Sequence, residues 1–135
     1  AICWFENCQI HSKQNSYVTA ASTARDNTFG YVFHNCRLTA ADGVNKVYLG
    51  RPWRAYAAVV FIDCELGSHI RSEGWENWRN PENEKTARYA EYHNYGAGAA
   101  TDKRVDWCRQ LSKKEARKYT RENVLGTGWW ENTSK

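Results

Sequence analysis

The sequence predicts an all-β fold: a partial parallel β-helix of about three to four coils, ended by a C-terminal α-helix. Three observations carry this. First, one hexapeptide recurs: Phe5 to Ile10 reads FENCQI, Phe33 to Leu38 reads FHNCRL and Phe61 to Leu66 reads FIDCEL, so that cysteines 8, 36 and 64 stand 28 residues apart. A fixed period of this size marks stacked units, each burying its apolar face against the next. Second, every copy breaks the parity of a straight strand. Residues two apart share a face, so Cys8 and Ile10 agree but Phe5 should face away. Asn7, Asn35 and Asp63 precede the three cysteines, and Asn and Asp are the non-glycine residues most at ease in the left-handed region. One such residue turns the chain and lets Phe and Cys both point inward. Third, no 3.6-residue period separates the copies, which argues against βαβ crossovers.

Each copy therefore reads as strand, one-residue bend, strand, with Cys8, Cys36 and Cys64 expected as an internal ladder. Ser16 to Ala20 is a β-rich run, and Thr23 to Thr28 is a polar loop. A further step of 28 lands in a weaker fourth copy, Tyr89 to Asn94, with Tyr92 in the Cys place. Beyond residue 110 the pattern changes. Ser112-Lys113-Lys114-Glu115 is a capping box, so a helix is expected from about Lys113 to Val124, with Gly126 just past its end. Residues 1–110 are thus read as the coils and 111–135 as a helix and tail packing on them. Trp107, Trp129 and Trp130 are expected to cover the core beneath that tail.

The 135 residues suit one domain. A net charge of +4 fits an anionic partner without selecting one. Lys113, Lys114, Arg117, Lys118 and Arg121 lie on the C-terminal helix without interleaved aromatics, so a solvated face is favoured over nucleic-acid binding. No apolar run approaches the roughly 20 residues of a membrane span. The opening AICWFENCQI lacks the basic start and small-residue cleavage site of a signal peptide. The five cysteines are an odd number, with no CxxC and no zinc spacing. Stacked thiols are favoured over disulfides or a metal, and Cys3 and Cys108 stay open. Seven tryptophans and eight tyrosines are many for this length; such rings fill a core or meet a ligand.

Tyr48-Leu49-Gly50-Arg51-Pro52-Trp53 holds the candidate site. Arg can fork onto a carboxylate and Trp can lie flat on a sugar ring, which together suit an acidic sugar. From here the chain resembles the C-terminal portion of the pectin methylesterase (pectinesterase) family. LGRPW matches that family's signature. The order FENCQI, VTA at 18 to 20, FHNCRL, LGRPW, Glu73-Gly74-Trp75 with Trp78, Tyr92, Asn94, then Arg104 to Trp107 fits as well. Ala21 stands where the family usually has Gln, and Ala97 departs from its Gly-Pro-Gly.

The resemblance implies a right-handed helix, hydrolysis of methyl esters of polygalacturonate, no metal or organic cofactor, and a secreted, periplasmic or cell-surface location. It implies that Arg51 orients the nucleophilic carboxylate and lies near the substrate's acid, and that Trp53 stacks on a galacturonate ring. The family's two catalytic aspartates, in Asp-Phe-Ile-Phe-Gly and Gln-Asp-Thr-Leu motifs, precede the region that this chain matches. The chain is therefore expected to be inactive, or nearly so, alone, and either to self-associate through the face of its first coil or to be only marginally stable. Tyr48 and Arg54 are cleft candidates by adjacency. Trp75 and Trp78 either line the cleft or clamp their loop onto the coils. Asp63 reads as a bend, Glu65 as solvated, and Asp102 and Asp106 as loop charges. His11, His34, His69 and His93 have no metal spacing, and His34 and His93 are expected to face out. A non-catalytic module binding acidic polysaccharide is the competing reading.

Overall fold

A computed structural model describes residues 2–21, 23, 25 and 28–125. Its strands run β1 Cys3–Glu6, β2 Gln9–Ser12, β3 Tyr17–Ala21, β4 Tyr31–His34, β5 Arg37–Ala40, β6 Tyr48–Pro52, β7 Ala58–Ile62, β8 Glu65–Leu66, β9 Arg88–Tyr92 and β10 Arg109–Gln110. They stack as three parallel sheets in the orders β1-β4-β7-β9-β10, β2-β5-β8 and β3-β6. This is the coil-upon-coil arrangement of a parallel β-helix. The repeat sets the register: Phe5 pairs with Phe33 and Phe33 with Phe61. The third sheet is offset by 31 instead, Tyr17 facing Tyr48, because the loop before β6 is longer. The shorter turn after β6 restores the period of 28.

The bends are as the residue types require. Asn7, Asn35 and Asp63 have φ of 57°, 54° and 53°. Their side chains also connect the coils, Asn35 Nδ2 donating to Asn7 Oδ1 at 2.7 Å. Inside, Phe5, Phe33 and Phe61 stack face to face with centroids 4.6 and 4.5 Å apart. Cys36 and Cys64 are buried and all five cysteines are free thiols. The Cys64 Sγ–H donates to the Phe33 carbonyl at 3.4 Å, and Cys36 makes the same bond to Phe5 at 3.5 Å. The ladder is shorter than expected, since Cys8 is exposed.

The fourth copy corrects the sequence reading. The offset between β7 and β9 is 30, with Ile62 opposite Tyr92. His93 takes the bend (φ 55°), and Asn94, not Tyr92, occupies the Cys place, accepting from Cys64 N–H at 2.8 Å and donating to the Phe61 carbonyl at 3.1 Å. The Phe place falls to Glu91, opposite Phe61. Its carboxylate is buried against Arg104 Nε at 2.9 Å, with side-chain exposures of 2% and 3%. Trp75 Nε1 donates to the same carboxylate at 3.3 Å. A buried charge is tolerated only when so paired.

The single C-terminal helix is also corrected. The capping box at Ser112 and Glu115 is present and opens α2, Lys113–Ala116. The chain then turns and restarts as α3, Arg121–Leu125. Thr120 causes the break: its Oγ1 accepts from Asn123 N–H at 3.1 Å, a new N-cap that competes with continuing the first helix. α3 brings Val124 onto the outer face of the first sheet, among Val32, Val60, Ile62, Ala90 and Leu111. Trp107 packs on Tyr89 at 5.7 Å. Trp129, Trp130 and the Gly126 stop lie outside the described residues. A further short helix, α1 Asn83–Thr86, was not anticipated.

Candidate functional site

The site lies where β3 and β6 pair and the loop after β8 folds beside them. Ala20 faces Arg51 across the two strands. The segment around Trp75 then adds to the far side of β6. Leu49 N–H donates to the Gly74 carbonyl at 2.6 Å and Glu76 N–H to the Gly50 carbonyl at 3.1 Å. Glycine is required at position 50 by this close approach, since a Cβ there would meet Thr19 Oγ1 at 2.3 Å and the Trp75 ring at 3.1 Å.

That loop is bent hard to reach Arg51. Trp78 and Arg79 are consecutive non-glycine residues at φ 60° and 56°, each costing on the order of 1 kcal/mol or more. Three hydrogen bonds hold them there. Asn77 Oδ1 accepts from Arg79 N–H at 3.0 Å, Asn77 Nδ2 donates to Glu84 Oε2 at 2.8 Å, and Asn83 Nδ2 donates to the Asn77 carbonyl at 3.1 Å. The short helix α1 supplies two of these partners.

The result is a guanidinium held between two aromatic faces. Arg51 Cζ lies 3.9 Å from the Tyr17 centroid and 3.7 Å from that of Trp78. Its Nε is buried without a hydrogen-bond partner, and none of the ion pairs among the described residues includes it. Its stacking is satisfied while its Nε has no hydrogen-bond partner among the described residues. Trp53 is 60% exposed and meets Trp78 edge-on at 5.4 Å. Trp53 and Trp78 line an open groove of about 570 Å³ with Arg25, Arg54 and Tyr56. A smaller cavity of about 260 Å³, lined by Tyr17, Glu76, Trp78 and Arg79, opens beside Arg51. The Glu76 carboxylate, and then burial, raise the pKa of Tyr17.

The sequence candidates separate here. Arg51, Trp53, Trp78 and Arg54 come together. Trp75 does not: it is 1% exposed, stacked on Tyr89 at 4.2 Å, and so presents no free ring to a sugar. Tyr48 is a supporting layer, engaged by Tyr17 at 5.3 Å and by Arg71 at 5.2 Å. Asp63 and Glu65 lie away from this group, Asp63 within 2.7 Å of His93 Nδ1 and Glu65 within 3.3 Å of Arg37. Tyr17, Glu76 and Arg79 were missed from the sequence. Tyr17 faces Tyr48 and Glu76 bonds to Gly50 at offsets other than 28, so the repeat does not point to these two.

The Pectinesterase family model matches residues 1–128. The chain belongs to the pectinesterase family. It is 37% identical to the probable pectinesterase A of Neosartorya fischeri, over 99% of this chain and 41% of that protein. The pectin methylesterase from carrot superposes with a TM-score of 0.84 at 30% identity, covering 98% of this chain and 46% of that one. A pectin methylesterase solved in complex with a hexasaccharide gives 0.77 at 30% identity, covering 92% of this chain and 45% of that one. This pectinesterase-family chain thus spans less than half the length of these relatives. Among the described residues, no helix is long and apolar enough to cross a membrane.

Proposed function

We propose that this chain is the substrate-holding part of a pectin methylesterase, which hydrolyses methyl esters of polygalacturonate to free carboxylates and methanol. One observation carries the reading: Arg51 is clamped between Tyr17 and Trp78 with its Nε unpartnered among the described residues, beside an exposed Trp53. A guanidinium so held pairs with a carboxylate without rearranging. Placed beside a nucleophilic aspartate, it keeps that group ionised and aimed at the ester carbon. Trp53 takes the face of a neighbouring galacturonate ring. The aspartate pair is contributed by the family's Asp-Phe-Ile-Phe-Gly and Gln-Asp-Thr-Leu segments, and the enzyme works on pectin outside the cytoplasm.

Methanol release from highly methylated pectin tests this, with the present chain beside a longer protein carrying both aspartate segments. Activity only in the longer protein supports a divided site. Activity in the short chain overturns it and turns attention to carboxylates within the chain. β1, β2 and β3 are edge strands, and Phe5, Ile10 and Val18 at that end are only partly buried. Such an edge pairs readily with another copy. The chain alone is therefore expected to self-associate, and a dilution-resistant monomer in sedimentation would contradict this.

A further inference from the structure

We infer that Glu76 sets the charge preference of the Arg51 cleft, disfavouring the free acid of a uronate relative to its neutral methyl ester; the inference rests on the pectinesterase reading above. Glu76 lines the same cavity as Arg51 and Arg79, so two positive charges and one negative charge surround a single opening. Glu76 is not consumed by an ion pair with either arginine among the described residues. Its backbone is tied to β6 through the Gly50 carbonyl at 3.1 Å, and Tyr17, whose pKa its carboxylate raises, lines the same cavity. The backbone bond thus holds Glu76 at the edge of this opening.

A free uronate carboxylate entering this opening is attracted by Arg51 and Arg79 and repelled by Glu76. A methyl ester carries no net charge and feels neither effect strongly. Glu76 thus weakens the acid and leaves the ester alone. In ester hydrolysis the acid is the product, so this charge eases its departure.

The test is calorimetric titration of the full chain at low ionic strength with a fully methyl-esterified galacturonate hexamer and with its de-esterified counterpart. Glu76→Gln keeps shape and removes charge. It is expected to tighten binding of the acid hexamer by about two- to fivefold, the range of a partly screened charge pair, with the ester hexamer unchanged. Glu76→Asp, which keeps the charge, is expected to hold the parental ratio. Added salt should shrink the difference. Glu76→Gln shifting both ligands equally, or neither, overturns the inference while leaving the pectinesterase reading intact. If the parent binds neither hexamer, that reading falls and the inference with it.

Discussion

The interior ladder and the Arg51 cleft belong to the same coils and obey different rules. In the ladder every rung resembles the last: Phe on Phe, thiol to carbonyl, bend over bend. Its thiols bond to carbonyls of the coil before, and its backbone uses left-handed Asn and Asp, where that conformation is cheap. The cleft is unlike its neighbours. It places left-handed strain on Trp78 and Arg79 and leaves Arg51 Nε without a hydrogen-bond partner among the described residues. Periodic structure built from residues suited to it serves stability, whereas backbone strain is kept where a ligand completes it. The first region should answer to unfolding experiments and the second to binding experiments.

The largest effect is expected at the end of the ladder. Arg104→Ala leaves Glu91 buried without its partner and should lower unfolding free energy in urea by about 3–5 kcal/mol. Phe33→Ala opens a gap between two stacked rings and should cost a similar amount, about 3–5 kcal/mol. A loss below about 1 kcal/mol for either would mean the ladder does not carry the fold.

Trp53→Ala reverses the pattern. Its ring is largely exposed, so unfolding should change by less than about 0.5 kcal/mol. Oligogalacturonide affinity should fall about fivefold, the scale of one lost aromatic stack. A loss of stability without a loss of binding would move Trp53 out of the cleft.

A pH dependence is also expected in the ladder, visible only at alkaline pH. Burial pushes the Cys64 thiol up from 9.0 to about 12. The folded state keeps this proton where the unfolded chain releases it. The stabilisation is complete below pH 9 and is lost as pH rises from about 9 to 12. Urea midpoints should decline over that window, and Cys64→Ala should flatten part of the decline. An unchanged slope in Cys64→Ala would mean that Cys64 is not the source.

The same contrast explains what the sequence made legible. The repeat exposed the coils, the bends and the inward Phe and Cys because each is stated three times. It misplaced the fourth copy because two added residues shift the register to Ile62 opposite Tyr92, so a step of 28 lands two residues short. It joined α2 and α3 because a capping box marks where a helix starts, while Thr120 stops it by a local bond that the 3.6-residue pattern does not register. In the cleft, Arg51 and Trp53 were legible from one motif. Tyr17 and Glu76 were not, because Tyr17 sits 31 residues from its partner Tyr48 and Glu76 reaches Gly50 through the backbone. Trp75 and Trp78 look equivalent in GWENW, and only the fold sends one inward and the other onto Arg51.

The most direct test of the central claim compares Arg51→Ala with the parent chain, titrating a galacturonate oligomer while urea unfolding is followed on the same preparations. The account predicts that affinity falls at least about tenfold, as expected for the loss of a charge-assisted contact, while the unfolding midpoint moves little. Unchanged affinity in a folded Arg51→Ala protein would contradict it, and the guanidinium between Tyr17 and Trp78 would then be a packing feature rather than the centre of the site.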